Sequence, residues 1–183
     1  MAVSDPLVMP LARELLECYE TELAKLETPP GSIGLRPGTI VDLLLSTSDD
    51  ECCSGLAWVR PVTFYPSSTA FPNQDTVGQR QGTKAWAVTL ELGYVTCAPT
   101  PDEHSIPGND EWAAVLQSVM DAGAAMRRAL CCMIAARPGF GAQRVIPGQW
   151  QPAPVEGGCV GGTLPVIIMG PACDCADAGD SSS

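Results

Sequence analysis

The first apolar pattern in the chain recurs at steps of three and four residues, which is the period of an amphipathic helix. Ser4, Asp5 and Pro6 precede it as a capping residue followed by proline, a frequent helix start, and the segment TPPGS ends it. The pattern therefore predicts a helix from about residue 5 to 27. The apolar positions of this helix are Leu7, Leu11, Leu15, Leu16, Tyr19, Leu23 and Leu26.

Two shorter apolar segments follow the first helix. The segment LRPGTIVDLLLST predicts a short strand near residues 39–46. The segment CCSGLAWVRPVTFYPSS predicts a strand near residues 55–66, with Trp58 and Phe64 facing the core. Pro61 has no backbone N–H to donate, so its position predicts a sheet edge or a β-bulge.

The clearest strand pattern is the segment TKAWAVTLELGYVTCAP, in which apolar and mixed positions alternate. Alternation places every second residue on the same face of a sheet. One predicted face carries Trp86, Val88, Leu90 and Leu92, and the other carries Ala85, Ala87, Thr89 and Glu91.

A second helix is predicted from about residue 110 to 136. Asn109 is its capping residue, and Asp110 and Glu111 place negative charge at the positive end of the helix dipole. The segment RPG then ends the pattern with a basic residue followed by two helix breakers. The predicted core side consists of Trp112, Val115, Leu116, Val119, Met126, Leu130, Met133 and Ile134.

The remaining segments complete a prediction of an α+β fold. RVIPGQWQPA and GGCVGGTLPVIIMG predict two short strands joined by a glycine-rich turn, and residues 171–183 predict a short acidic tail. The order is helix, three strands, helix, two strands. It predicts a single domain over residues 1–170, with an antiparallel or mixed sheet of about four to five strands packed with two main helices.

The charge balance limits the classes of function. A net charge of −11 argues against a surface that binds nucleic acid through phosphate contacts, and against adsorption to anionic membranes. It is compatible with a soluble particle, or with a channel wall that DNA passes without sticking. The N-terminus lacks the basic region of a signal peptide, and no apolar run is long enough to span a bilayer. Synthesis in a cytoplasm is therefore expected.

Residues suited to catalysis are few. His104 is the single histidine, so a cysteine or serine nucleophile has no other imidazole as its base. The motifs of serine hydrolases, zinc proteases, P-loops and dinucleotide sites are absent. Glu91 and Asp121 are the acids near predicted core elements, and Arg127-Arg128 is a weak candidate for binding phosphate. No catalytic residue is predicted, and a cysteine enzyme that uses His104 is the alternative.

The nine cysteines are an odd number, so at least one stays unpaired within the chain. Their close pairs have the spacings C-C and C-x-C rather than that of a zinc knuckle, so no metal and no cofactor is predicted. A zinc-stabilised binding module stays open as an alternative, as does plain burial of the thiols. If the strand that follows Cys53 and the strand that precedes Cys97 are antiparallel neighbours, the start of the first lies beside the end of the second. The C-terminal part of the second helix can reach the same end of the sheet. The disulfide candidates are Cys52, Cys53, Cys97, Cys131 and Cys132, formed after release from a reducing cytoplasm.

Several segments between about residue 50 and residue 170 share a likeness with one group of proteins. They are GLAWVRPVTFYPS, AWAVTLELGYVTCAP, DAGAAMRRALCC and GGCVGGTLPVII. Together they resemble proteins that long-tailed phages of actinobacteria encode among their head-to-tail connector and tail genes. The predicted order of elements is also similar to that of tail terminators, small α+β proteins that form hexameric rings at the top of the tail.

The resemblance implies a structural virion protein of the phage neck, not an enzyme, with no cofactor. It implies a homo-oligomeric ring, expected to be a hexamer, which caps the tail tube and joins it to the head connector. The implied partners are the major tail tube protein and the head-connector or stopper protein. Genomic DNA is expected to cross the lumen without specific binding, and no membrane is involved. Another connector ring, such as a stopper or an adaptor, is the alternative within this class.

Overall fold

The computed structural model describes residues 5–37, 54–67, 70–75, 85–101, 106–136, 144–156 and 158–170. In chain order its elements are α1 (Val8–Leu23), β1 (Ser32–Leu35), β2 (Leu56–Pro66), β3 (Trp86–Cys97), α2 (Asn109–Ala136), β4 (Val145–Pro147), β5 (Gln151–Glu156) and β6 (Cys159–Gly170). Within the described ranges, two helices and one mixed sheet of six strands form an α+β arrangement, which confirms the predicted fold class.

The strands β3 and β6 form the centre of the sheet. They pair antiparallel along their whole length, from Trp86 opposite Gly170 to Cys97 opposite Cys159. β2 pairs antiparallel with the other side of β3, and β1 pairs parallel with the first four residues of β2. β4 and β5 both pair antiparallel with the outer side of β6, at different points along it. The strand order is therefore β1-β2-β3-β6-β4, with β5 also on β6.

The two helices cover one face of the sheet, and the core lies between them and the strands. α1 packs on β1 and β2, whereas α2 packs on β3, β6 and β4. The strand residues of this core alternate along each strand, as pleating requires. They are Ala57, Val59, Val88, Leu90, Leu92, Tyr94, Val145, Leu164, Val166 and Ile168. The predicted inward face of β3 is thus confirmed for its three aliphatic residues.

Helix α1 is shorter than predicted, since it spans Val8–Leu23 rather than residues 5–27. Pro10 explains the later start, because a proline ring clashes with the carbonyl four residues before it and excludes that residue from a regular helix. Asp5 acts from outside the helix, where its carboxylate accepts a hydrogen bond from the backbone N–H of Met9 at 2.6 Å. The bounds of α2 agree with the prediction to within one residue.

The strands differ from the prediction in two places. β1 forms in the segment SIGL, for which no strand was predicted, because a four-residue stretch shows too little alternation. The segment RVIPGQWQPA holds two strands instead of one, since residues 148–150 separate β4 from β5. The strand predicted at residues 39–46 and the acidic tail at 171–183 lie outside the described residues.

Strand β2 has the predicted bounds but a different orientation of its aromatic residues. Trp58 is buried on the face away from the helices, where it packs with Val95. Phe64, predicted to face the core, is 58% exposed. The pairing with β3 shifts register between Pro61 and Thr63, which confirms the predicted bulge. The register pairs Phe64 with Val88, so the bulge turns Phe64 to the helix-facing side of the sheet, where the helices leave it exposed.

The helices are joined to each other by a disulfide and by an ion pair. Cys18 of α1 is bonded to Cys132 of α2, with the two Cα atoms 5.7 Å apart. One turn further along α1, the nearly buried carboxylate of Glu22 accepts a hydrogen bond from the Nε of Arg128 at 2.8 Å. Lys25 forms a second ion pair with the same carboxylate. The disulfide and the ion pair between Glu22 and Arg128 lie in the helix layer and hold α1 against α2.

The ion pairs of Glu22 predict a loss of stability in acid. The hydrogen bond from Lys25 and the guanidinium of Arg128 lower the pKa of Glu22 below its ordinary value. The unfolded chain therefore binds a proton before the folded one as the pH falls below about 4.3. The stabilisation by Glu22 is present above that pH and is lost as the pH falls through the folded-state pKa. We expect urea unfolding to show a weaker dependence on pH for Glu22→Gln than for Glu17→Gln, which removes an exposed carboxylate of the same helix. Equal slopes for the two variants would contradict this.

Candidate functional site

Helix α2 carries an apolar stripe that does not face the core. Trp112, Leu116 and Met120 recur every four residues, with exposed fractions of 43%, 59% and 39%. Successive helix residues are separated by about 100° around the axis, so this stripe lies beside the core-facing one rather than on it. A contiguous apolar surface of this kind, with an aromatic and a methionine, is typical of protein interaction sites.

The predicted core side of α2 is therefore wrong for two residues and right for others. Trp112 and Leu116, which were placed in the core, lie on the exposed stripe. The buried residues that the prediction included are Val119, Met126, Leu130 and Met133. In its N-terminal half the helix has two apolar stripes offset by one residue, and a periodicity count merges them into a single broad face.

The exposed stripe continues into an apolar groove at the edge of the sheet. This groove has a volume of about 430 Å³ and lies between the C-terminal half of α2 and the β4–β5 turn. Gly123, Arg127 and Ile134 line it from the helix, and Val145 and Trp150 line it from the strands. Positions 112, 116, 120, 123, 127 and 134 lie within about a quarter turn of the helix axis, so the stripe and the groove form one surface. Arg127 is the charged side chain of the lining.

Trp150 forms the wall of the groove and leaves a polar group unmatched. Its ring occupies the space where a side chain at Gly162 would be, so the absence of a Cβ there allows the indole to lie against β6. The indole Nε1 is buried and has no hydrogen-bond acceptor among the described residues. It lies 3.5 Å from the position of a Cβ built on Gly123. A buried donor without an acceptor is costly, so packing against Gly123 and Gly162, rather than a hydrogen bond, holds the indole here.

The opposite edge of the sheet carries a second exposed apolar feature, which we call the ridge, formed by Val62 and Phe64. Val62 lies at the bulge and is 49% exposed, and Phe64 is 58% exposed. The Phe64 ring contacts Trp86, with ring centroids 6.0 Å apart. β1 pairs with β2 only as far as Val59, so among the described strands none covers the outer side of β2 at the ridge.

The cysteines predicted as disulfide candidates take different states. Cys132 is bonded to Cys18, a residue that was not among the candidates, and this disulfide joins helices rather than strand ends. Cys97 is disulfide-bonded, as is Cys159, which lies opposite it in the sheet. Cys131 carries a free, exposed thiol, so Cys132 is the bonded member of this adjacent pair. Cys52 and Cys53 lie outside the described residues.

The other residues considered for chemistry are dispersed. Glu91 forms an ion pair with Arg60 at 2.7 Å on the face of the sheet away from the helices. Asp121 is exposed on α2 and accepts a hydrogen bond from Gln117. Arg128 pairs with Glu22, whereas its neighbour Arg127 lines the groove, so the two arginines do not form a joint phosphate site. His104 lies outside the described residues.

The described ranges contain neither a metal-binding cluster nor a membrane-spanning helix. No group of three or more histidine, cysteine, aspartate or glutamate side chains in them is arranged to hold a metal ion. No helix in the same ranges combines the length and the apolar character that crossing a membrane requires.

No protein-family model matches the sequence, and no curated protein matches it at a significant level.

Proposed function

We propose that this chain is a structural subunit of the neck of a long-tailed phage, and that it forms the tail terminator ring. The likeness of its strand and helix segments to actinobacteriophage neck proteins supports the class. In this role copies of the chain close into a ring, expected to be a hexamer, that caps the tail tube and meets the head connector. The acidic balance of the chain suits a lumen through which DNA moves without being held.

The observation that carries the proposal is the exposed apolar surface of α2. Helix α2 leaves Trp112, Leu116 and Met120 open to solvent, next to an apolar groove. Aromatic residues and methionine are enriched in protein interfaces, and charged residues are depleted at their centres. The stripe itself has no charged residue, although the chain is strongly acidic. This combination favours a subunit that buries the surface against other protein chains.

A charge placed on the stripe tests this function. We expect the wild-type protein to self-associate in sedimentation velocity and Leu116→Asp to weaken that association by at least about tenfold, because an unpaired carboxylate must be desolvated in the contact. The matched control is Ala114→Asp, which adds the same charge at an exposed position about 160° around the same helix. It should associate like the wild type. Equal association of Leu116→Asp and wild type, or equal weakening by both variants, would contradict a specific role of the stripe.

A further inference from the structure

We infer that the subunits of the ring join head to tail, with the ridge of one copy seated in the groove of the next. The ridge is Val62 and Phe64 on β2, and the groove lies between α2 and the β4–β5 turn. This inference rests on the proposed function, since it names the surfaces through which the proposed ring closes. The occupant of the groove is therefore a second copy of this chain.

The position of the two features in the sheet supports a head-to-tail contact. In the strand order β1-β2-β3-β6-β4, the ridge lies on the β2 side and the groove lies on the β4 side. A cyclic ring with more than two subunits needs two different surfaces on each subunit, one for each neighbour. An apolar projection at one edge and an apolar recess at the other meet that requirement, whereas a two-fold contact needs only one surface.

The chemistry of the groove also favours the β2 edge as its occupant. The lining is mainly apolar, which suits the aliphatic and aromatic side chains of Val62 and Phe64. Arg127 is the charged group of the lining, and a second copy of the chain brings a net charge of −11. Opposite charges at the rim of an apolar contact favour one orientation of the two chains.

The free thiol of Cys131 provides a direct test, because it is exposed and lines the groove. In the inferred contact, a cysteine at position 64 of one copy lies near Cys131 of the next. We expect Phe64→Cys, purified without reductant and mildly oxidised, to form a ladder of covalent oligomers on a non-reducing gel. Dithiothreitol should return the ladder to the single chain. Adding Cys131→Ala to this variant should abolish the ladder while all other native cysteines remain.

The matched control is Thr63→Cys, which places a thiol at the neighbouring exposed position on the other face of β2. It should give no ladder above the wild-type background. A ladder of equal strength from Thr63→Cys would overturn the inference, as would a ladder that persists after Cys131→Ala.

Sedimentation of the same samples separates the two proposals. If Phe64→Cys assembles but gives no covalent ladder, the ring stands and the inferred contact is wrong. If the wild-type protein and Phe64→Cys both stay monomeric at every concentration, the proposed function is wrong, and the contact with it.

Discussion

Removing the disulfide between α1 and α2 should lower the free energy of unfolding by about 4 kcal/mol, which is a large part of the stability of a domain of this size. Cys18 and Cys132 are separated by 114 residues, so the bond closes a long loop and restricts the unfolded chain strongly. We expect the double variant Cys18→Ala/Cys132→Ala to unfold at a clearly lower urea concentration than the wild type under non-reducing conditions.

Cys131 supplies the matched control for the disulfide. It is adjacent to Cys132 but carries a free, exposed thiol, so Cys131→Ala removes a sulfur without opening a loop. This variant should unfold at the wild-type midpoint. The wild type in dithiothreitol should move towards the double variant. If the double variant and Cys131→Ala share one midpoint without reductant, the bond does not stabilise the fold.

The second large effect is expected at the centre of the sheet, where Gly161→Ala should cost about 3 kcal/mol or more. A Cβ at Gly161 would overlap the backbone carbonyl of Tyr94 on the neighbouring strand. Backbone atoms cannot rotate away as a side-chain end can. β6 is paired on both sides here, with Val95 of β3 and Ala153 of β5, so the strand cannot shift without breaking a ladder.

Gly34→Ala is the comparison for this change. Gly34 lies in the edge strand β1, where the nearest atom to a new Cβ is the Nη1 of Arg36 at 3.5 Å, an ordinary contact. The free energy of unfolding of Gly34→Ala, measured in urea, should stay within about 0.5 kcal/mol of the wild type. Similar losses of stability for the two alanine variants would show that close packing of β6 against β3 is not the cause of the loss in Gly161→Ala.

The elements with long, regular patterns were predictable from sequence. The twelve residues of β3 alternate without interruption, and their aliphatic positions Val88, Leu90 and Leu92 face the helices as expected. α2 has 28 residues with capping signals at its start, and its bounds also agree. β1 has only four residues, so its formation depends on pairing with β2 rather than on a local signal.

The candidate interaction surface could not be predicted from the sequence, and the reason is geometric. Trp112 and Leu116 have the same spacing as core residues, and only the position of the sheet determines which stripe is covered. Trp58 and Phe64 were predicted on one face of β2, but the bulge after Pro61 changes the alternation and places them on opposite faces.

The partners in the disulfide also depend on the tertiary structure. Helical rotation shows that Cys131 and Cys132 point in different directions, but it cannot show which of them meets Cys18. The pairing depends on how α1 lies across α2, and that depends on the whole helix layer.

The most direct test of the central claim is the mass and shape of the purified wild-type protein, measured without reductant by sedimentation and by negative-stain electron microscopy. The expected result is a closed ring whose mass is a whole multiple of the 19.2 kDa chain, with six subunits as the expected number. A particle of 19.2 kDa at every concentration, with no rings in the images, would contradict the claim that this chain is a self-assembling ring subunit.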